Sequence, residues 1–162
     1  MTSLKSFLCI LFAFICINVS AEERILAYHS DIEIHKDRSV TITEHIKIYA
    51  EGYIFKRGIY RDIPLSYDLK DGQKYRVDFD LLSVTKNGEK EPYKKENRSN
   101  GIRIYVGDKD VYLEPGEYSY SIEYKVDNVL GIFKDFDELT WNVNGNGWDV
   151  EIDNVSAKVI YP

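Results

Sequence analysis

Alternation of polar and apolar side chains is the sequence feature that most constrains the fold of this chain. In residues 118–126 every even-numbered position is apolar or aromatic and every odd-numbered position is polar. Successive side chains of a strand point to opposite faces, so this pattern predicts a strand with one buried face. Residues 75–81, 102–106 and 155–161 repeat it, and no segment shows a convincing helical period. The sequence therefore predicts an all-β chain.

Turn signals separate these strands. Asn87-Gly88 is typical of a hairpin turn, and Pro115-Gly116 precedes the tyrosine-rich strand. The apolar phase changes at residues 81–82, which indicates a β-bulge, because one inserted residue turns the following side chains over. Residues 94–100 are expected to be a charged loop, and residues 128–138 to hold one helical turn at most. About eight or more antiparallel strands are expected, in a β-sandwich that is immunoglobulin-like or related.

The first two strands can be paired from the sequence. One register places all their large apolar residues on one face, with Ile34 opposite Val40, Ile32 opposite Ile42, Tyr28 opposite Ile46 and Leu26 opposite Ile48. It leaves a three-residue turn at 36–38, where a glycine would adopt the left-handed position more easily. The same register places His29 and His45 opposite each other on the polar face. Two solvated histidines are the favoured interpretation, since a zinc site needs further ligands that nothing identifies.

The first 21 residues have the pattern of a signal peptide. Lys5 precedes an apolar run of 11 residues at 7–17, and Val19-Ser20-Ala21 supplies the small residues of a cleavage site. A membrane span needs about 20 apolar residues, so the run is too short to be one. Neither cysteine follows a small residue, as lipid attachment would require. We expect cleavage after Ala21, export, and a single domain over residues 22–162.

Composition excludes several functional classes. Both cysteines lie in the leader, so the exported chain would have no disulfide, no thiolate metal ligand and no cysteine nucleophile. Loss of Lys5 changes the net charge from −6 to −7, which argues against nucleic acid as a partner. The sequence contains no Gly-x-Ser-x-Gly, His-Glu-x-x-His or phosphate-binding glycine loop. We therefore expect a chain that is not an enzyme and uses no cofactor.

Two blocks supply the candidate binding residues. Residues 56–64 concentrate positive charge, and a planar guanidinium suits carboxylates and phosphates. A structural role for that block, with Arg61 paired to an acid at a corner between strands, is favoured, and Arg57 is expected to be the freer arginine. Residues 142–153 partly match a calcium loop, but neutral asparagines make a turn between strands the favoured interpretation. The candidates are Arg57, Tyr60, Arg61, Asp62, Trp141, Asn142 and Trp148. We expect the two blocks to meet in space.

The order of five sequence blocks resembles a known family. The blocks are residues 32–35, 57–64 (RGIYRDIP), 99–107, 115–118 and 138–148 (ELTWNVNGNGW). Together they are similar to the extracytoplasmic N-terminal domain of predicted bacterial membrane proteins grouped as domain of unknown function 2207. The resemblance implies a signal peptide, a β-rich outer domain and then membrane helices, with no established activity. Arg38 stands where the family pattern tends to have glycine. The sequence stops at Pro162 before any membrane helix, which favours a piece of a longer membrane protein over a secreted module.

These observations favour a non-catalytic binding or assembly domain outside the cytoplasmic membrane, with a protein or a cell-envelope glycan as partner. A secreted carbohydrate-binding module is the first alternative, because exposed aromatic side chains stack on sugar rings. A hydrolase with scattered catalytic residues is the second, and a purely structural outer domain is the third.

The leader gives the first testable prediction. When the chain is expressed with its export route intact, mass spectrometry and N-terminal sequencing should find a protein that begins at Glu22. Replacing Ala21 by a bulky residue should leave the leader attached, since the peptidase requires small residues there. An intact leader on the exported wild-type protein would contradict the assignment.

Overall fold

The computed structural model describes residues 22–68 and 74–162, so the predicted leader lies outside the described residues. The described chain contains strands and no helix, which confirms the all-β prediction. The strands are β1 (Arg24–Ile34), β2 (Val40–Ala50), β3 (Ile59–Pro64), β4 (Ser66–Asp68), β5 (Lys74–Arg76), β6 (Asp78–Lys86), β7 (Glu89–Lys90), β8 (Tyr93–Arg98), β9 (Gly101–Val106), β10 (Gly116–Asp127), β11 (Leu130–Ile132), β12 (Asp137–Leu139) and β13 (Val155–Ile160).

The strands form a sandwich-like arrangement of two main sheets and two small hairpins. The larger sheet has the order β13-β1-β2-β10-β6-β7, and the smaller has the order β3-β9-β8. Strands β4 and β5 pair with each other, as do β11 and β12. All the described pairings are antiparallel except that of β1 with β13, which is parallel. The predicted antiparallel β-sandwich is confirmed, with this one parallel pair added to it.

Alternating apolar side chains of both sheets form the core. The fully buried ones come mainly from the even-numbered positions of β2 and β10 and from β9. They include Ile42, Ile46, Ile48, Ile104, Ile122, Tyr124 and Val126. The faces of β2 and β10 that point away from this core carry Thr, His, Lys, Ser and Glu residues, as the alternation predicts.

The predicted pairing of the first two strands is correct over most of its length. Tyr28 lies opposite Ile46, Ile32 opposite Ile42, and Ile34 opposite Val40. The register shifts between Ile25 and Ala27, so that Ile25 rather than Leu26 lies opposite Ile48. The predicted Leu26 pairing is therefore wrong, because a bulge at this position brings Ile25 into the buried phase.

The predicted bulge and the Asn-Gly turn are also present. On β6, Ser83 and Leu81 face consecutive residues of β10, which leaves Leu82 as the extra residue. Asn87 and Gly88 both have positive φ angles, 52° and 83°, and connect β6 to β7. This is the geometry that a two-residue hairpin turn requires.

Two local predictions are wrong. The expected loop at 94–100 contains most of strand β8, whose charged side chains suit the edge of a sheet. Residues 128–138, where one helical turn at most was expected, contain no helical turn and form the β11–β12 hairpin. Strand β13 was expected to have a buried face, but all six of its residues are exposed. Period two indicates a strand, but it does not show whether anything covers that strand.

The turn between β1 and β2 gives the second prediction. Arg38 has a φ of 71°, a left-handed conformation that strains a side chain with a Cβ. Arg38→Gly should therefore raise the free energy of unfolding by about 0.5–1 kcal/mol, the relief of strain exceeding the added flexibility of the unfolded chain. Lys36→Gly, on the same turn but without a positive φ, should lower it. Urea unfolding of both variants is the measurement, and equal losses would contradict the prediction.

Candidate functional site

A buried ion pair joins the two main sheets. Arg61 of β3 donates through Nε to Glu44 Oε2 and through Nη2 to Glu44 Oε1, both at 2.8 Å. Only 2% of the Arg61 side chain and none of the Glu44 side chain is exposed. The hydroxyl of Tyr124 donates to Glu44 Oε1 at 2.6 Å, and Arg61 Nη1 donates to the backbone carbonyl of Asp62. A strand from each sheet is thus connected through one carboxylate.

Burial and the charge of Glu44 both shift the pKa values of the side chains around Glu44. Burial alone would lower the pKa of Arg61, but the adjacent Glu44 carboxylate raises that pKa well above its ordinary value. Burial and the same carboxylate raise the pKa values of Tyr28 and Tyr124. Arg61 therefore stays charged and both tyrosines stay neutral over the physiological pH range.

This burial corrects the position of one candidate residue. The sequence offers Arg61 as a candidate for contact with a ligand, whereas in the structure its guanidinium points inward to Glu44. The favoured structural interpretation, in which Arg61 pairs with an acid, is the one that the geometry matches, and Glu44 is that acid. Glu44 is missing from the sequence-based candidates, although it occupies an apolar phase between Ile42 and Ile46.

The loop that follows β12 packs directly onto this pair. Gly145 is buried, and a Cβ added to it would overlap the Arg61 guanidinium. Its φ of 69° is also one that glycine adopts without strain. The asparagine-glycine loop thus fits over Arg61 because it lacks a side chain at this position.

The two predicted blocks meet on the outer side of β3. The rings of Tyr60 and Trp148 are stacked, with centroids 6.4 Å apart and planes inclined by 16°. The Tyr60 hydroxyl donates to Asp149 Oδ2 at 2.9 Å and lies 3.1 Å from the carbonyl oxygen of Gly147. The expectation that these blocks share a corner is confirmed.

Asp62 and Arg103 form a cross-strand ion pair next to this stack. Asp62 accepts two hydrogen bonds from Arg103, at 2.6 Å from Nε and 2.5 Å from Nη2. These bonds hold the pKa of Asp62 below its ordinary value and raise that of Arg103. The Arg103 guanidinium also lies over the Tyr60 ring, 4.1 Å from its centroid. Asp62 and Tyr60 are therefore both engaged within the domain.

The side chains of the second block stabilise the loop through contacts within the domain. Trp141 is half-buried and packs against Tyr124, with ring centroids 6.2 Å apart. Trp148, also half-buried, donates through Nε1 to the carbonyl oxygen of Asn144 at 2.8 Å. The Asn142 side chain accepts from the backbone N–H of Gly145 and donates to Asn146. These contacts fix the shape of the loop over Arg61.

Arg57 lines a groove on the smaller sheet that extends to Tyr60 of this corner. Its guanidinium donates to the Tyr112 hydroxyl and lies over the Tyr112 ring, 4.2 Å from the centroid. The groove, which we call the Arg57 groove, has a volume of about 400 Å³. It is lined by Ile54, Lys56, Arg57, Gly58, Ile59, Tyr60, Lys94, Glu96, Tyr105, Val106, Gly107, Asp108 and Lys109.

Two glycines allow the backbones beneath this groove to approach closely. A Cβ on Gly58 would overlap the carbonyl oxygen of Val106, and one on Gly107 would overlap the carbonyl oxygen of Arg57. Their φ angles of 139° and 136° also lie in a range that residues with a Cβ rarely adopt. The Arg57 segment and the end of β9 are thus held together without intervening side chains.

Glu23 fixes the segment that leads into the groove. Its buried carboxylate accepts hydrogen bonds from the backbone N–H groups of Glu51, Gly52, Ile54 and Phe55. Burial by itself would raise the pKa of Glu23, but these four donors together lower it. A single carboxylate near the start of the described chain thus orders residues 51–55.

The two metal candidates from the sequence differ in how far the structure brings their residues together. His29 and His45 do lie opposite each other, with stacked rings 6.1 Å apart and Asp31 beside both. In the partial calcium loop, Asp153 pairs with Arg24, and Asn142 bonds within its own loop. Over residues 22–68 and 74–162, no group of three or more His, Cys, Asp or Glu side chains is arranged to hold a metal ion.

Comparison with known families settles the relationship of this chain. The family described as "Predicted membrane protein (DUF2207) N-terminal domain" matches residues 24–162. The chain belongs to this family. The match includes both blocks of the corner and every residue that lines the Arg57 groove. It confirms the resemblance drawn from the five sequence blocks. In the part of the chain that the structure describes, no helix is long and apolar enough to cross a membrane.

A curated relative of this chain is "Uncharacterized protein YciQ" of Escherichia coli (strain K12). It is 35% identical over 133 residues, which cover 82% of this chain. The matched region is 21% of YciQ, so this chain spans about a fifth of the length of that relative. YciQ is thus a considerably longer protein than this chain.

Solved structures resemble the domain only distantly. Native yeast LTA4 hydrolase has a TM-score of 0.48 and 10% identity, covering 65% of this chain and 15% of the hydrolase. A putative protease from Parabacteroides distasonis has a TM-score of 0.37 and 14% identity, covering 65% of this chain and 23% of the protease. Similarity at this level carries no functional argument.

The buried ion pair gives the third prediction. Arg61→Met alone or Glu44→Leu alone should lower the free energy of unfolding by about 3–5 kcal/mol, because each leaves an unpaired buried charge. The double variant removes both charges and should lose clearly less than the sum of the single losses. Urea unfolding of the four proteins measures the coupling. Additive losses would contradict the assignment of this pair as the connection between the sheets.

Proposed function

We propose that this chain is a non-catalytic binding domain on the outer side of the cytoplasmic membrane, and that it holds an acidic segment of a protein in the Arg57 groove. The observation that carries the proposal is the charge of that groove. Four cationic side chains line it, Lys56, Arg57, Lys94 and Lys109, against two acidic ones, Glu96 and Asp108. Lys94 lies 3.7 Å from Glu96, and Lys109 lies 2.5 Å from Asp110 outside the groove. On a chain with a net charge of −6, a cationic groove favours acidic partners.

The lining of the groove supports a peptide more than a sugar. Its walls combine these charges with partly exposed apolar and aromatic side chains such as Ile54 and Tyr105. The aromatic rings in and around it already carry cations on their faces, with Arg57 over Tyr112 and Lys94 over Tyr105. A sugar ring would have to displace these cations before it could stack, whereas acidic side chains would pair with them.

The tryptophans provide no alternative platform for a glycan. Trp141 and Trp148 are both half-buried and pack against the core. A carbohydrate-binding module needs aromatic faces that are open and coplanar, so their burial counts against that alternative. The groove itself remains the surface that supports a binding role.

The state of nearby carboxylates supports a role without catalysis. Glu96 lies within ion-pair distance of Arg98, at 3.2 Å, and Lys94, at 3.7 Å. Asp108 accepts a hydrogen bond from the backbone N–H of Asp110 at 2.8 Å. A hydrolase would need carboxyl groups poised towards a substrate, and these two are engaged with neighbouring groups.

Two arguments support the location. The predicted leader directs the chain out of the cytoplasm, and the DUF2207 family consists of predicted membrane proteins. A binding domain followed by membrane segments would place this groove where it meets other proteins of the envelope.

The fourth prediction tests the groove. A fluorescent glutamate-rich peptide should bind the purified protein, and Arg57→Ala and Lys94→Ala should each weaken binding by about threefold to tenfold. Lys95→Ala is the matched control, because Lys95 is the next residue of β8, carries the same charge, and does not line the groove. Fluorescence anisotropy at physiological salt is the measurement.

Three outcomes would contradict the proposal. The first is an equal loss in Lys94→Ala and Lys95→Ala, which would indicate attraction by net charge alone. The second is the absence of binding to the glutamate-rich peptide. The third is binding of polygalacturonate at lower concentrations than the peptide, which would favour an acidic glycan as the ligand.

A further inference from the structure

Exposed apolar side chains gather at the end of the larger sheet where β1 and β13 finish. The parallel pairing of these strands brings Ile160 opposite Glu33, so both strands end on the same side. Ile132, Phe133, Phe136 and Tyr161 lie there with 47%, 52%, 58% and 78% of their surfaces exposed. We call these four residues the phenylalanine tip. Exposed apolar clusters of this kind mark sites of contact with a partner or a membrane.

The β11–β12 hairpin presents the two phenylalanines on a tight turn. The backbone N–H of Phe133 donates to the carbonyl oxygen of Phe136 at 3.0 Å, which closes the turn. Their rings stack with centroids 4.7 Å apart and planes inclined by 24°. Gly131 leaves room for the Phe133 ring, because a Cβ there would lie 2.8 Å from it. The pair is thus held together at the end of a short ribbon.

The base of the hairpin is fixed to the domain. Leu130 and Leu139 lie opposite each other on β11 and β12, and both pack against the core. Ile132 and Tyr161 line one groove of about 500 Å³ with the turn between β1 and β2. The tip is therefore a projection from an anchored ribbon.

Positive charge lies beside this apolar tip. Lys36 and Arg38 line the same groove, against one acid there, Asp137. The acid between them on the turn, Asp37, accepts hydrogen bonds from Ser39 and lies 3.8 Å from Lys125. The turn itself carries Lys134 and Asp135, and two further acids follow it, so the cations Lys36 and Arg38 lie on the groove side of the tip. An apolar tip with cations on one side matches the interfacial region of a bilayer with anionic headgroups.

We propose that the phenylalanine tip inserts into the interfacial region of a lipid bilayer that contains anionic lipid. The chain belongs to a family of predicted membrane proteins, so a bilayer is the surface that the family description supplies. A second copy fits less well. Four partly exposed side chains offer roughly 400 Å², about half of the ~800 Å² per partner that a stable protein interface buries. The two exposed rings can enter the apolar region of a bilayer without a protein surface of complementary shape.

Cosedimentation with vesicles tests this proposal. The wild-type protein should bind vesicles of phosphatidylcholine and phosphatidylglycerol, and bind vesicles of phosphatidylcholine alone more weakly. The double variant Phe133→Ser/Phe136→Ser should lose roughly tenfold or more of this binding. The matched control is Leu82→Ser/Val111→Ser, which removes two comparably exposed apolar side chains elsewhere and should bind as the wild type does.

Two measurements keep the interpretation clear. Mass spectrometry should confirm that each protein begins at Glu22, because the apolar run at 7–17 would bind vesicles by itself. Urea unfolding should show that both double variants keep the wild-type stability.

Two results would overturn the proposal. One is the absence of vesicle binding, which together with a dimer that the Phe133/Phe136 variant abolishes would identify a second copy as the occupant. The other is equal binding by the wild type and the Phe133/Phe136 variant. The residues of the Arg57 groove are unchanged throughout, so failure here leaves the peptide-binding proposal untouched.

Discussion

The ion pair between Glu44 and Arg61 is the interaction on which the rest of this domain depends. Each residue occupies an inward position on its strand, where its neighbours two places away are apolar. Neither charge reaches water, so each is acceptable there only because the other is present. The pair therefore fixes how β2 of the larger sheet lies relative to β3 of the smaller one. Tyr124 adds a hydrogen bond to Glu44, and Gly145 can lie against the Arg61 guanidinium because it has no side chain. Together they complete the enclosure of the pair.

The surface of the domain follows from this buried pair through the period of a strand. Because Arg61 points inward, Tyr60 and Asp62 point to the other side of β3. There the Tyr60 ring stacks on the Trp148 ring, and the Asp62 carboxylate accepts a hydrogen bond from Arg103. The second half of the block 57–64 thus forms part of the corner with Trp148. Its first half exposes the cationic side chain of Arg57 to solvent. Arg57 differs from Arg61 because it precedes β3 and lies over an exposed tyrosine.

The two proposed contact surfaces use different chemistry. The Arg57 groove combines cations with backbone segments held close by Gly58 and Gly107, which suits an extended acidic chain. The phenylalanine tip presents apolar rings on a turn, which suits a layer without defined hydrogen-bonding groups. A domain that contacted a membrane through the tip and a partner through the groove would bring an acidic protein segment to the membrane surface.

The sequence by itself determined many of the strands, most of the first hairpin, the bulge at Leu82, the Asn-Gly turn and the family, because strand period and turn chemistry are local. It also indicated that the two unusual blocks share a corner. Tertiary structure decided which charge lies inside, that β13 pairs in parallel and stays uncovered, and that β8 is a strand. Glu44 could have been found as a charge in an apolar phase, but its partner could not, since pairing across sheets depends on how they pack. The phenylalanine tip was hidden for the same reason: exposure belongs to the packed molecule, and local sequence does not encode it.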